Sequence, residues 1–192
     1  MTKRRMCMNI DAILVNHCSP TLAGLKMGSL LCLPRLESRT DYEKLIDKYN
    51  HMYNQKGLHF RILYACPKRT LLYVYRPAMV ASYIQDQAVM AFLTQYGYAA
   101  GDVLEHMLDH LADRFREGGC FPHESGIFLG YPLEDVCGFI THKGNHAKIC
   151  GDWKVYGDAD EASRIFRMFS CCREDYINRF AVGTTLESLI VA

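Results

Sequence analysis

The sequence predicts a single α/β domain with a mixed, partly parallel sheet of about five strands covered by helices. Three observations point there. Runs with β character alternate with amphipathic runs through most of the chain, and one hairpin interrupts the alternation. No linker, repeat or low-complexity segment divides it. A chain of 192 residues fits one core that buries roughly 70% of the unfolded surface. The expected layout is a flexible N-terminus at 1–9, the domain at 10–182 and a C-terminal tail at 183–192.

Ala12-Ile13-Leu14-Val15 reads as a short strand that stops at Asn16-His17-Cys18. Ser19 then stands as N-cap and Pro20 as first residue of a helix to about Leu33, with Gly24 and Gly28 on one face. Thr40 and Glu43 give a capping box for a second helix, with Tyr42, Leu45, Ile46, Tyr49, Met52 and Tyr53 as its apolar stripe and Gly57 as its stop. Leu58 to Ala65 and Thr70 to Tyr75 read as an antiparallel hairpin around Cys66-Pro67-Lys68-Arg69. Pro77 starts a helical region that breaks near Gln85-Asp86, resumes to Tyr96 and stops at Gly97. Asp102 is expected to cap a helix carrying Leu104, Met107, Leu108, Leu111 and Phe115, ended by Gly118-Gly119. Gly126 to Tyr131 reads as a strand, Pro132 to about His142 as a helix, and Ala147 to Tyr156 as another strand. Asp158, with Glu161 three residues on, caps a C-terminal helical segment.

Charge and cysteine content narrow the function. A net charge of +1, from 22 basic and 21 acidic side chains, argues against a dedicated nucleic-acid binder. The one compact basic cluster, Lys3-Arg4-Arg5, reads as a solvated terminus. No apolar run approaches the ~20 residues a bilayer span needs. The opening is broken by Asn9, Asp11 and Asn16, a poor signal-peptide core. The expectation is therefore no membrane association. Nine cysteines, an odd number without a Cys-x-x-Cys spacing, suit reduced thiols in the cytoplasm better than disulfides or structural zinc.

Chemistry is expected at the strand-to-helix junctions, because open α/β sheets bind ligands along their carboxyl edge. Cys18 would lie outside a helix N-terminus, where the dipole favours thiolate, with His17 as its proton partner. A buried packing cysteine is the alternative reading. Tyr131 lies at the Gly130-Tyr131-Pro132 junction. Asp135 follows in the first helical turn, where the dipole alone favours acid, with a further option of orienting a histidine or a cation. His123-Glu124 lacks the second histidine of a zinc protease, since the fourth residue after His123 is Ile127. The pair keeps an acid–base or loop-anchoring reading. Trp153 and Lys154 mark an aromatic strand edge suited to core packing or to stacking a cofactor. His106 with His110, and His142 and His146 with Cys150, read as solvated or interrupted rather than as metal sites, so no metal ligand is nominated. Ser19 and Ser125 lack the Gly-x-Ser-x-Gly elbow of the hydrolases, and Gly97 to Asp102 lacks a P-loop ending.

These segments together resemble a domain-of-unknown-function family of anaerobic bacteria, numbered 3793. The likeness rests on His17-Cys18-Ser19-Pro20-Thr21-Leu22 with Gly24 and Lys26, on Arg76-Pro77 and on Gly97-Tyr98. Its strongest part is Phe121 to Val136 with Gly138-Phe139, followed by Gly151, Trp153 to Gly157 and Cys172. The resemblance implies a cytosolic, single-domain bacterial protein of a low-oxygen organism. It brings no established activity, catalytic residue or cofactor.

The leading expectation is a thiol-centred protein that binds, or acts on, a small anionic or redox-active ligand. Cys18 and His17 would do the chemistry. Lys26, His123, Glu124, Tyr131, Asp135, Trp153 and Lys154 would bind. The alternatives are a non-enzymatic metal- or haem-binding module using Cys and His ligands, and a subunit that meets a partner protein. Whether the protein is an enzyme stays open at this level.

Overall fold

The computed structural model describes residues 9–34, 39–66, 69–117 and 121–192. The Lys3-Arg4-Arg5 cluster, Pro67-Lys68, Gly118-Gly119 and the Thr40 side chain of the capping box lie outside the described residues. Strands β1 (Gly28–Pro34), β2 (His59–Ala65) and β3 (Arg69–Tyr75) form one antiparallel sheet in the order β1-β3-β2. A second sheet is only the two-residue pair β4 (Ile149–Cys150) and β5 (Lys154–Val155), also antiparallel. The expected partly parallel sheet of about five strands is thus overturned: the described fold is mostly helical, with small antiparallel sheets.

The largest departure is at the start. Ala12 to Val15 is not a strand but part of helix α1 (Ile10–Leu22), capped by the Asn9 side chain accepting from Ala12 N at 3.1 Å. A short apolar run does not by itself distinguish strand from buried helix. Ser19 is no N-cap; its hydroxyl donates back to the Val15 carbonyl, and Pro20 sits near the end of the same helix. The expected helix to Leu33 is instead strand β1, with Leu31 opposite Leu72 and Gly28 opposite Tyr75. A Cβ at Gly28 would stand 2.6 Å from the Phe128 carbonyl oxygen and 2.7 Å from the Tyr73 hydroxyl. Glycine is there for close approach across the sheet, not for a helix face.

Where capping and periodicity agree, the expectation holds. Helix α2 (Arg39–Tyr53) runs into a turn of 3₁₀ helix closed by Gly57 at φ 69°. The β2–β3 hairpin forms with a register shift between Ile62 and Tyr64. Helices α3 (Pro77–Ile84) and α4 (Gln87–Thr94) are separated at Gln85-Asp86, and the Asp86 carboxylate caps the second. Helix α5 (Leu104–Arg116) buries Met107, Leu108 and Leu111 as expected, although Val103 and not Asp102 is its N-cap residue. The strand expected from Gly126 to Tyr131 is the single helical turn α6 (Ser125–Phe128) and a following turn. Helix α7 (Leu133–Thr141) follows Pro132. The strand expected over Ala147 to Tyr156 is folded back on itself as β4 and β5. Helix α8 (Ala159–Ala181) starts at Asp158, whose carboxylate accepts from Asp160 N and Glu161 N. The C-terminal residues carry helix α9 (Leu186–Leu189), and Leu186, Leu189 and Ile190 are buried.

Strand β3 is covered on both faces. Leu72 and Val74 join a core built from α1, α2 and α9, whereas Tyr73 and Tyr75 join one built from α3, α4, α5, α6 and α7. This alternation follows from the period of two in a strand. A small third cluster joins Trp153 and Val155 of the β4–β5 hairpin to Ala162 and Phe169 of α8. Among the described residues no helix is long and apolar enough to cross a membrane.

Candidate functional site

A cavity of about 570 Å³ opens where α6, α7 and the β4–β5 hairpin meet. The local sequence explains the meeting. Gly126 lacks the Cβ that would stand 2.9 Å from Val136 Cγ2 and 3.2 Å from Tyr131 Cδ2, so α6 lies directly on the start of α7. Asp135, in the first turn of α7 and 3% exposed, then fastens the hairpin. Its Oδ2 accepts from Trp153 Nε1 at 2.6 Å, and its Oδ1 accepts from Tyr156 N at 2.6 Å and Gly157 N at 2.8 Å. Charge-assisted bonds of this length are the stronger kind. Among the described residues Asp135 serves these three donors, and through one of them it orients the only tryptophan of the chain.

Aromatic rings form the walls. Trp153 stacks on Tyr131 with centroids 5.2 Å apart and meets Phe166 edge-on at 4.5 Å. Phe139 faces His123 at 4.9 Å. The Tyr131 hydroxyl donates to the Asp152 carbonyl at 3.2 Å, and burial with the nearby Asp152 charge pushes its phenol up to about 12. The exposed members Phe121, His123, Cys150, Gly151 and Lys154 mark the rim, while Ser125, Gly126 and Val136 are buried at the floor. The Lys154 ammonium donates to the Gly144 carbonyl at 2.7 Å and lies 5.8 Å from the Phe139 ring centre. The turn supplying that carbonyl holds Lys143 at φ 50° and His146 at φ 60°. Left-handed backbone is uncommon for such residues and costs about 1–3 kcal/mol each.

Five of the nine expected site residues line this one cavity: His123, Tyr131, Asp135, Trp153 and Lys154. The other four lie elsewhere. Glu124 is 1% exposed and accepts from Arg114 Nε at 2.9 Å, which anchors the segment ahead of α6. Lys26 lies behind the wall, 5.3 Å from the Tyr131 centroid and 5.9 Å from that of Phe169, and its burial lowers its pKa against the opposing pull of Asp152. His17 is exposed on α1. Cys18 is 0% exposed inside α1. The helix N-terminus expected beside Cys18 does not exist, since α1 begins at Ile10. Burial pushes its thiol up to about 12, the direction opposite to activation.

Reading motifs missed Ser125, Phe139 and Cys150. Ser125 fails every nucleophile pattern and acquires meaning only from the room it faces. Phe139 looks like ordinary helix stripe. Cys150 was weighed with His142 and His146, whose rings stand 6.0 Å apart, yet among the described residues no group of three or more His, Cys, Asp or Glu could hold a metal ion. No curated protein and no solved structure matches the chain. The sequence profile described as Protein of unknown function (DUF3793) matches residues 14–190, which includes every wall of the cavity, and the chain belongs to that family.

Proposed function

We propose that the protein binds a small, flat, largely apolar molecule bearing an anionic group, held in the cavity between α6, α7 and the β4–β5 hairpin. The observation that carries this reading is the cavity itself: about 570 Å³, walled by Tyr131, Phe139 and Trp153, with a fixed lysine ammonium at its rim. Rooms of this size and lining suit a compact ligand with few polar groups. Aromatic faces favour a flat partner. Lys154 favours a negative group, and the neighbouring carboxylate of Asp135 has its oxygens occupied by internal donors. The thiol chemistry first expected at Cys18 is not proposed, because a sealed and protonated sulfur has no route to a substrate. The nine cysteines of the chain, odd in number and without a Cys-x-x-Cys spacing, support a reducing compartment and hence the cytoplasm.

The test uses 1-anilinonaphthalene-8-sulfonate, a flat aromatic sulfonate, added to the full chain. Saturable one-to-one binding with energy transfer from Trp153 is expected. Lys154→Gln should weaken it about five- to tenfold, the size of one charge-assisted contact. Absence of saturable transfer, or wild-type affinity in both Lys154→Gln and Phe139→Ala, would reject the reading.

A further inference from the structure

The cavity floor carries one polar side-chain group that the fold leaves unused. Ser125 is 3% exposed and lines the cavity. Its backbone is satisfied: Ser125 N donates to the Pro122 carbonyl at 3.1 Å, and its own carbonyl accepts from Leu129 N at 3.2 Å. Its hydroxyl has no hydrogen-bond partner among the described residues and is not sealed off, so it opens on the cavity. The contrast with the neighbouring polar groups is sharp. The Asp135 carboxylate serves three donors, the Trp153 N–H is one of them, and the Tyr131 hydroxyl is bonded to Asp152. A hydroxyl that faces a cavity and has no partner in the fold is left to bond whatever enters.

We infer that Ser125 is a specificity-determining residue, and that the ligand carries a second polar group, a hydroxyl or carbonyl, at the end remote from its anion. This rests on the ligand-binding reading above and adds the polarity of the inner end. The anionic group stays with Lys154 at the exposed rim, the flat apolar body lies along Tyr131, Phe139 and Trp153, and the inner group exchanges a hydrogen bond with the Ser125 hydroxyl. The ligand class is thus a flat aromatic acid substituted at both ends. A plain aromatic acid filling the cavity would cover the serine hydroxyl without pairing it, and sites built around a polar group discriminate against analogues lacking it.

The experiment compares 2-naphthoate with its 6-hydroxy and 7-hydroxy derivatives by calorimetry on the full chain, wild type and Ser125→Ala. In the wild type the better hydroxy isomer should bind about fivefold more tightly than the parent acid, the yield of one neutral hydrogen bond. In Ser125→Ala that preference should vanish while 2-naphthoate affinity stays within about twofold, since the lost atom touches only the inner group. If 2-naphthoate binds but neither hydroxy isomer exceeds it, the role of Ser125 is wrong and the ligand-binding reading stands. If none of the three binds, the ligand-binding reading itself falls. If Ser125→Ala loses all three with an unchanged melting temperature, Ser125 shapes the floor rather than reading the ligand, and the inference is overturned.

Discussion

Arg76 and Asp135 solve the same problem with opposite charge in two different parts of the molecule. Arg76, 8% exposed at the end of β3, donates to the Thr21 carbonyl at 2.7 Å, the Leu22 carbonyl at 2.6 Å and the Val191 carbonyl at 2.7 Å. It adds a charged donor to carbonyls at the C-terminal end of α1 that already accept from Gly24 N and Val191 N, and ties the C-terminal residues to them. Asp135 gathers N–H donors and ties the β4–β5 hairpin to α7. Among the described residues neither has an oppositely charged side chain at ion-pair distance, so Arg76 depends on backbone carbonyls and Asp135 on backbone N–H groups and the Trp153 indole for compensation. The difference lies in what each closes: Arg76 joins the end of α1 to Val191 around the main core, whereas Asp135 closes only the wall of a cavity.

That contrast should be visible in how the two fail. Arg76→Leu removes three charge-assisted bonds at once and should lower unfolding free energy by about 3–5 kcal/mol, read as a fall in the urea midpoint. A loss under about 1 kcal/mol would show that water replaces the guanidinium freely. Asp135→Asn sets an amide N–H against either the indole N–H or the two backbone donors. It should cost about 2 kcal/mol and shift Trp153 emission to the red in protein that is still folded. An unshifted spectrum would mean the indole is held by its ring contacts to Tyr131 and Phe166 alone. The sulfonate probe sharpens the point: its affinity should drop in folded Asp135→Asn and stay intact in folded Arg76→Leu.

The smallest effect belongs to Cys18. Its thiol is protonated in the fold up to about 12, while in the unfolded chain it ionises near the ordinary value of 9. The raised pKa means a contribution fully present below pH 9 that declines as pH climbs toward 12, because only the unfolded state releases the proton. At pH 10 the decline should be about 1 kcal/mol relative to pH 7. Cys18→Ala should lose stability at both pH values but show a shallower fall between them. Parallel curves would mean the sulfur is not sealed as described.

Much of the helical part of the fold was readable in advance because its signals are local. Asp158 caps α8, Pro77 opens α3, and the stripe from Met107 to Leu111 faces inward, each decided within a few residues. The hairpin was readable for the same reason. Strand β1 was not, because Gly28 to Leu33 becomes a strand only by pairing with β3 some forty residues on, and nothing local announces that partner. Ala12 to Val15 failed through the ambiguity of a short apolar run, which then misplaced Ser19, Pro20 and the argument for Cys18. The cavity fared better. Tyr131 is picked out through a sheet edge that does not exist, His123 through its pairing with Glu124, Asp135 through its place in a first helical turn, and Trp153 and Lys154 through an aromatic run, and they converge because α7 and the hairpin bring both segments together. Glu124 turned away because Arg114 holds it. Ser125 was invisible, since an unpaired hydroxyl is a property of surroundings and not of spacing.

Helix α1 packs against α8, and the Val191 N–H donates to the Leu22 carbonyl at 3.1 Å. The two extremities of the described chain are thus woven together, and long-separated contacts of this kind slow folding. A nascent chain would hold α1 in waiting, its greasy side bare, until residues 159–191 had left the ribosome. Docking of that segment is then the step that turns a loose precursor into a finished molecule.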